Sequence, residues 1–124
     1  MKFMLLVHHD ENRFAALAEG VKHDLLDESI RLTHELHANA QYVSASPLQN
    51  AATAAIVRVR DGSAFVTDGP FIETKEQVAG YFLIEARDMD AAIAVAKRVP
   101  GARIGTVEIR PLREISGLPD GRGL

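Results

Sequence analysis

Two adjacent histidines, His8 and His9, end the apolar run Phe3-Met4-Leu5-Leu6-Val7. Histidine titrates near neutral pH, so one placed at a strand end can act as a base or carry a proton. Neighbours on a strand point to opposite faces, so at most one of the pair serves a given site. The second concentration of reactive groups is Asp68-Gly69-Pro70-Phe71-Ile72-Glu73-Thr74-Lys75-Glu76. Gly69 accepts positive φ and Pro70 fixes its own, so this stretch demands a defined bend with Phe71 as its anchor. Asp68 and Glu73 offer carboxylates for acid–base work, and Lys75 can hold their charge state. The same residues also suit a plain turn, with Asp68 bonding the backbone beyond it and Glu73 and Lys75 as a solvated pair. For the histidines the plain alternative is a partly exposed hydrogen-bonding role. We carry the pocket reading forward as an expectation. His8 or His9 with Asp68 are its acid–base groups, Asp68, Gly69, Pro70, Phe71, Glu73 and Lys75 its ligand-binding loop.

Other clusters carry less. His34 and His37 share a helix face, but Arg31 one turn earlier repels a cation and no third ligand stands at helical spacing, so no metal is expected. Arg58 and Arg60 lie on one strand face and could hold a carboxylate, although such a row is more often the wet side of a hairpin. The sequence has no phosphate-cradling glycine loop, no nucleophile elbow and no cysteine–histidine cluster. No cofactor is expected.

The elements that must position these residues follow from periodicity. The first run is apolar without interruption, the pattern of a strand buried on both faces. Asn12 suits the cap of a short helical turn through Phe14, Leu17 and Ala18. From about Lys22 to Asn39 the period is helical, with Leu25, Leu26, Ile30, Thr33 and Leu36 as its stripe and Asn39 as a left-handed cap. Gln41–Ser46 reads as a strand stopped by Pro47. The runs flanking Asp61-Gly62 read as a β-hairpin. Gly80–Ala86 is a second strand apolar on both faces. Asp88 caps a helix through Met89, Ala92, Ile93, Ala96 and Val99, and Thr106–Arg110 is the last strand. With the hairpin set aside, the order is βαββαβ, a ferredoxin-like α+β sheet with both helices on one face. Two strands are apolar on the face the helices leave open, so a second copy is expected to cover it as a homodimer.

The chain has 124 residues, 47% hydrophobic and 25% charged, which fits one globular domain over 1–115 with a loose tail at 116–124. Fourteen basic against seventeen acidic residues give a net charge of −3, which argues against nucleic-acid or anionic-membrane surfaces. There is no cysteine, hence no disulfide or thiol chemistry. The apolar start is too short for a signal peptide or a membrane span, so a cytoplasmic protein is expected.

Several stretches carry a family resemblance. They are Met4-Leu5-Leu6, the run Ala55 to Gly62, Val66-Thr67-Asp68-Gly69-Pro70-Phe71-Ile72-Glu73-Thr74-Lys75-Glu76, Gly80 to Asp88, and Val107-Glu108-Ile109-Arg110-Pro111. In this order the chain resembles the DGPF-type proteins of the YCII-related group. The resemblance implies a dimeric α+β-barrel fold. It implies little about chemistry: some relatives use a histidine–aspartate pair as acid and base on small aromatic substrates, whereas DGPF-type members are mostly uncharacterised and many are encoded beside sigma factors of the extracytoplasmic-function type. The enzymatic relatives carry their histidine on the first helix, near where this chain has Glu28, Ser29 and Ile30. Three classes follow. They are a module binding a small organic molecule, with a regulatory role in a sigma-factor system; a cofactor-independent acid–base enzyme, lyase or dehydrochlorinase-like; and a ligand-free structural dimer.

Overall fold

The computed structural model describes residues 1–119. Strand β1 (Lys2–His9) alternates fully: Phe3, Leu5 and Val7 are buried on one face, while Met4, Leu6 and His8 are half-buried on the other. It lies between β5 (Gln77–Glu85) and β6 (Thr106–Pro111), and β2 (Tyr42–Pro47) completes a four-stranded antiparallel sheet of order β2-β5-β1-β6. Phe3 stands opposite Ile84 and Pro111, and Leu5 opposite Phe82 and Ile109, so these residues form one continuous apolar face. The remaining strands, β3 (Ala55–Arg60) and β4 (Ser63–Asp68), pair only with each other. Asp61 and Gly62 both take positive φ, 51° and 78°, as a two-residue I′ turn requires. Without this hairpin the sheet order is that of a ferredoxin-like fold, as expected.

Helices α2 (Glu19–Ala38) and α3 (Met89–Ala96) both cover the Phe3–Leu5 face, where Leu32, Leu36, Ala92, Val95, Ala96 and Val99 join the core. Full burial of a side chain such as Leu36 contributes about 1.5–3 kcal/mol. The stripe on α2 differs from the predicted one: Leu26 and Ile30 are 49% and 46% exposed, and the inward line is Lys22, Leu25, Ser29, Leu32 and Leu36. Two caps also shift by residue. Asp10, not Asn12, accepts from the Asn12 and Arg13 N–H groups at the start of α1 (Glu11–Ala15). After α2 the left-handed position is Ala40, at φ 59°, whereas Asn39 sits at −95°. Asp88 caps α3 as predicted, accepting from Ala91 N at 2.8 Å. A short α4 (Gly101–Ile104) leads into β6.

Helices α2 and α3 leave the centre of the other sheet face open, and the Ala51–Thr53 turn and the Pro70–Ile72 bend approach it only at the His8 end. That centre is Met4, Leu6, Tyr81 and Leu83, with Ser44 to one side and Glu108 and Arg110 to the other. Leu83 is only 7% exposed even so, because Met4 and Ser44 flank it in the ladder. Both outer strands are short: β2 carries a register shift between Tyr42 and Ser44 and ends at Pro47, and β6 pairs regularly along its length and ends at Pro111. Of the predicted tail, residues 116–119 are exposed and 120–124 lie outside the described residues. Among the described residues, no helix is long and apolar enough to cross a membrane.

Candidate functional site

The alternation of β1 sends its two histidines to opposite sides of the sheet. His8 joins the open face, opposite Thr106 of β6. Its Nε2 lies 3.0 Å from Glu108 Oε1, and the other oxygen of Glu108 accepts from Arg110 at 3.2 Å. An ionised carboxylate only accepts, so Nε2 carries the proton and Nδ1 is the lone-pair nitrogen of the neutral ring. The His8 hydrogen bond, then that of Arg110, holds the Glu108 carboxyl below the usual carboxylate range.

Beside His8 opens a cavity of about 570 Å³. Its apolar wall is Leu48, Pro70, Phe71, Ile72 and Val78, and its polar groups include Glu76 and Gln77. The wall is positioned by small local bonds. Glu11 accepts from the Ala51 N–H, at 2.9 Å to its nearer oxygen, and Gln77 accepts from the Glu11 N–H at 3.0 Å. Together they tie α1, the 3-10 turn Ala51–Thr53 and β5 around one mouth. Gly69, at φ 96°, turns the chain after β4, and Arg58 lies over the Phe71 ring at 5.3 Å. That cation–π contact stands at an exposed site, where such pairs contribute about 0.5–1 kcal/mol. A polar groove continues past His8, lined by Arg13, Lys75, Glu76, Thr106 and Glu108, with Thr106 donating to Glu76 at 2.9 Å.

His8, Pro70 and Phe71 therefore share one cavity, and Lys75 reaches the adjoining groove. Asp68 stands opposite Ala55 at the foot of the hairpin; Asp68, Gly69 and Glu73 are not among the residues lining either space. The carboxylate bonded to His8 is Glu108, which no motif marks. Its signal was nonetheless present: in a ferredoxin-like order the last strand borders the first, and alternation puts Glu108 opposite in facing to Val107 and Ile109. Arg58 and Arg60 lie on the exposed hairpin face with Phe65, and His34 and His37 are exposed on α2.

His9 faces the other way. It stacks on Phe14 with ring centroids 4.5 Å apart, and burial pushes its pKa down against the opposing pull of Glu11, Glu76 and Asp10. It lines a separate cavity of about 200 Å³ beneath α2.

Comparison with known proteins agrees with this architecture. A family model described as the YCII-related domain matches residues 1–116. An uncharacterized protein of Rhizobium meliloti (strain 1021) is 33% identical over 121 residues, covering 90% of this chain and 92% of that protein.

Proposed function

This chain belongs to the YCII-related domain family, and we propose that it binds a small organic acid or phenol in the cavity between His8 and the Pro70–Ile72 bend. The observation that carries this reading is His8, bonded to Glu108, at the edge of a cavity that joins the apolar wall of Leu48, Pro70, Phe71, Ile72 and Val78 to a few polar side chains, Glu76 and Gln77 among them. An apolar pocket with few convergent polar groups is what small-molecule recognition requires. Phe71 and Pro70 supply ring contacts, and His8 with Lys75 supplies the polarity an acid or phenolate needs. A regulatory use of such binding, in the sigma-factor setting that the resemblance implies, rests on the same pocket.

The site is read as part of a homodimer, since Met4, Leu6, Tyr81 and Leu83 form an uncovered apolar centre on the face that His8 shares. The hairpin adds Val57, Val59 and Val66, all exposed on one of its faces. A second reading, acid–base catalysis without a cofactor, is favoured by one feature: Glu108 fixes the tautomer that leaves His8 Nδ1 as a base.

The test is titration with benzoate, salicylate and catechol, followed by calorimetry. Saturable binding by at least one of them is expected, with His8→Ala and Phe71→Ala each weakening it about tenfold, which is 1.4 kcal/mol. Asp68→Asn reports whether the carboxylate at the hairpin foot contributes. Affinities of His8→Ala and Phe71→Ala equal to that of the parent would overturn the assignment.

A further inference from the structure

Resting on the reading of the His8 cavity as a ligand site, we propose that its ligand is a medium-chain hydroxy acid: an unbranched alkanoate with a hydroxyl near its carboxylate. A single ring is too small for this space. An apolar cavity of about 150 Å³ takes up a benzene molecule, whereas the space beside His8 is about 570 Å³. Apart from Phe71 its apolar wall is aliphatic, made by Leu48, Pro70, Ile72 and Val78. Ile72 and Val78 are 61% and 40% exposed, so a ligand laid over them removes apolar surface from water. A flexible chain follows such a wall, where a flat ring touches only part of it.

The cavity does not end at His8. It runs on into the polar groove, and His8, Thr74 and Glu76 line both spaces. The charges of the groove are unevenly answered. Both oxygens of Glu108 are bonded, one to His8 and one to Arg110. Asp10 accepts from the N–H groups of Asn12 and Arg13 at 3.0 and 3.1 Å, and Glu76 accepts from Thr106 at 2.9 Å. By contrast, neither Arg13 nor Lys75 has a carboxylate partner among the described residues. Two unpaired cations facing carboxylates that are already held make this end of the groove a place for an anion.

Between the wall and the cations stands an acceptor. His8 donates through Nε2 to Glu108, which lines the groove but not the cavity. Its Nδ1 is then left to accept, and Glu76 at the same junction is a second acceptor. A plain methylene lying across them would cover polar groups and answer neither, which is costly. A hydroxyl at that point donates to one of them. The acid and the hydroxyl donor are thus two groups of one molecule, with its chain along the wall.

The probes are 3-hydroxydecanoate, decanoate, 3-hydroxybutyrate and methyl 3-hydroxydecanoate, titrated calorimetrically into the full chain. The first is expected to bind tightest. Its short homologue 3-hydroxybutyrate should be at least about a hundredfold weaker, since each buried methylene is worth about fourfold. The ester and decanoate should each lose about tenfold, one for its charge and the other for its hydroxyl. Arg13→Met combined with Lys75→Met is expected to weaken the acid about tenfold and leave the ester within about twofold. Both positions are exposed, so circular dichroism of this variant should match the parent. His8→Ala is expected to abolish the preference for 3-hydroxydecanoate over decanoate. Suppose benzoate, salicylate or catechol binds and weakens in Phe71→Ala, while chain length and the Arg13–Lys75 pair make no difference. This inference is then overturned and the His8 cavity stands. If no probe binds, short or long, both are overturned. Equal loss of acid and ester in the double variant, or an unchanged preference for the hydroxyl in His8→Ala, would also overturn the hydroxy-acid class.

Discussion

His8 and His9 differ by one position and share almost no surroundings. The pair was visible in the sequence, and strand alternation alone separated their faces. The burial of His9 depends on Phe14, which the fold brings over its ring. A pH prediction follows from that burial. His9 is held below the ordinary histidine range, so its neutral form is favoured in the folded state. The resulting stability is fully present above about pH 6.5, the unfolded value, and is lost as pH falls through the lower folded value. The melting temperature should therefore drop between pH 8 and pH 5, and His9→Gln should drop less over the same range. The Glu108 contribution has its own window: its lowered pKa makes it present above about pH 4.3 and lost further into acid. Glu108 itself was legible only jointly, through the alternation of its strand and the sheet order. At Asp68 the sequence could not separate a pocket group from a turn group, because that depends on where the hairpin foot sits relative to β1.

Elements with one clean period were the most legible. The hairpin is set by Asp61-Gly62, whose two positive φ values few other pairs accept. Its base is closed by the Gly69 N–H donating to the Ala54 carbonyl at 2.7 Å, so its ends are already adjacent. Replacing residues 55–68 by a short glycine–serine link should thus leave the four-stranded sheet folded, as circular dichroism and amide dispersion would show. The same deletion should remove binding at the His8 cavity, because Phe71 loses Arg58 and the bend loses its support. The stripe on α2 was misplaced for a physical reason: counting apolar residues finds the buried face only where a helix packs, and this helix spends half its inward line over a cavity. At the end of α2, Ala40 is held at a left-handed φ that glycine adopts freely. Ala40→Gly should raise stability by about 1 kcal/mol, measured by urea unfolding.

For the whole molecule, the balance of covered and uncovered faces sets the prediction. Sedimentation at micromolar concentration should give about twice the chain mass of 13.5 kDa. Leu6→Glu, half-buried on the open face, should shift the population to monomer or lower solubility. Ile84→Asp, fully buried on the other face, should prevent folding in either state because a lone buried carboxylate is costly. This contrast separates an interface from a core, a distinction the sequence could not make because both positions read simply as apolar. The sheet's outer strands carry a further consequence. A register shift and Pro47 interrupt one rim, Pro111 ends the other, and proline donates no ladder bond. Each rim is therefore a short template for another chain's backbone, about six residues on either side. Cover of the open face by a second copy would use that face up in a single event, so such a contact, unlike strand addition, would end with the pair it forms.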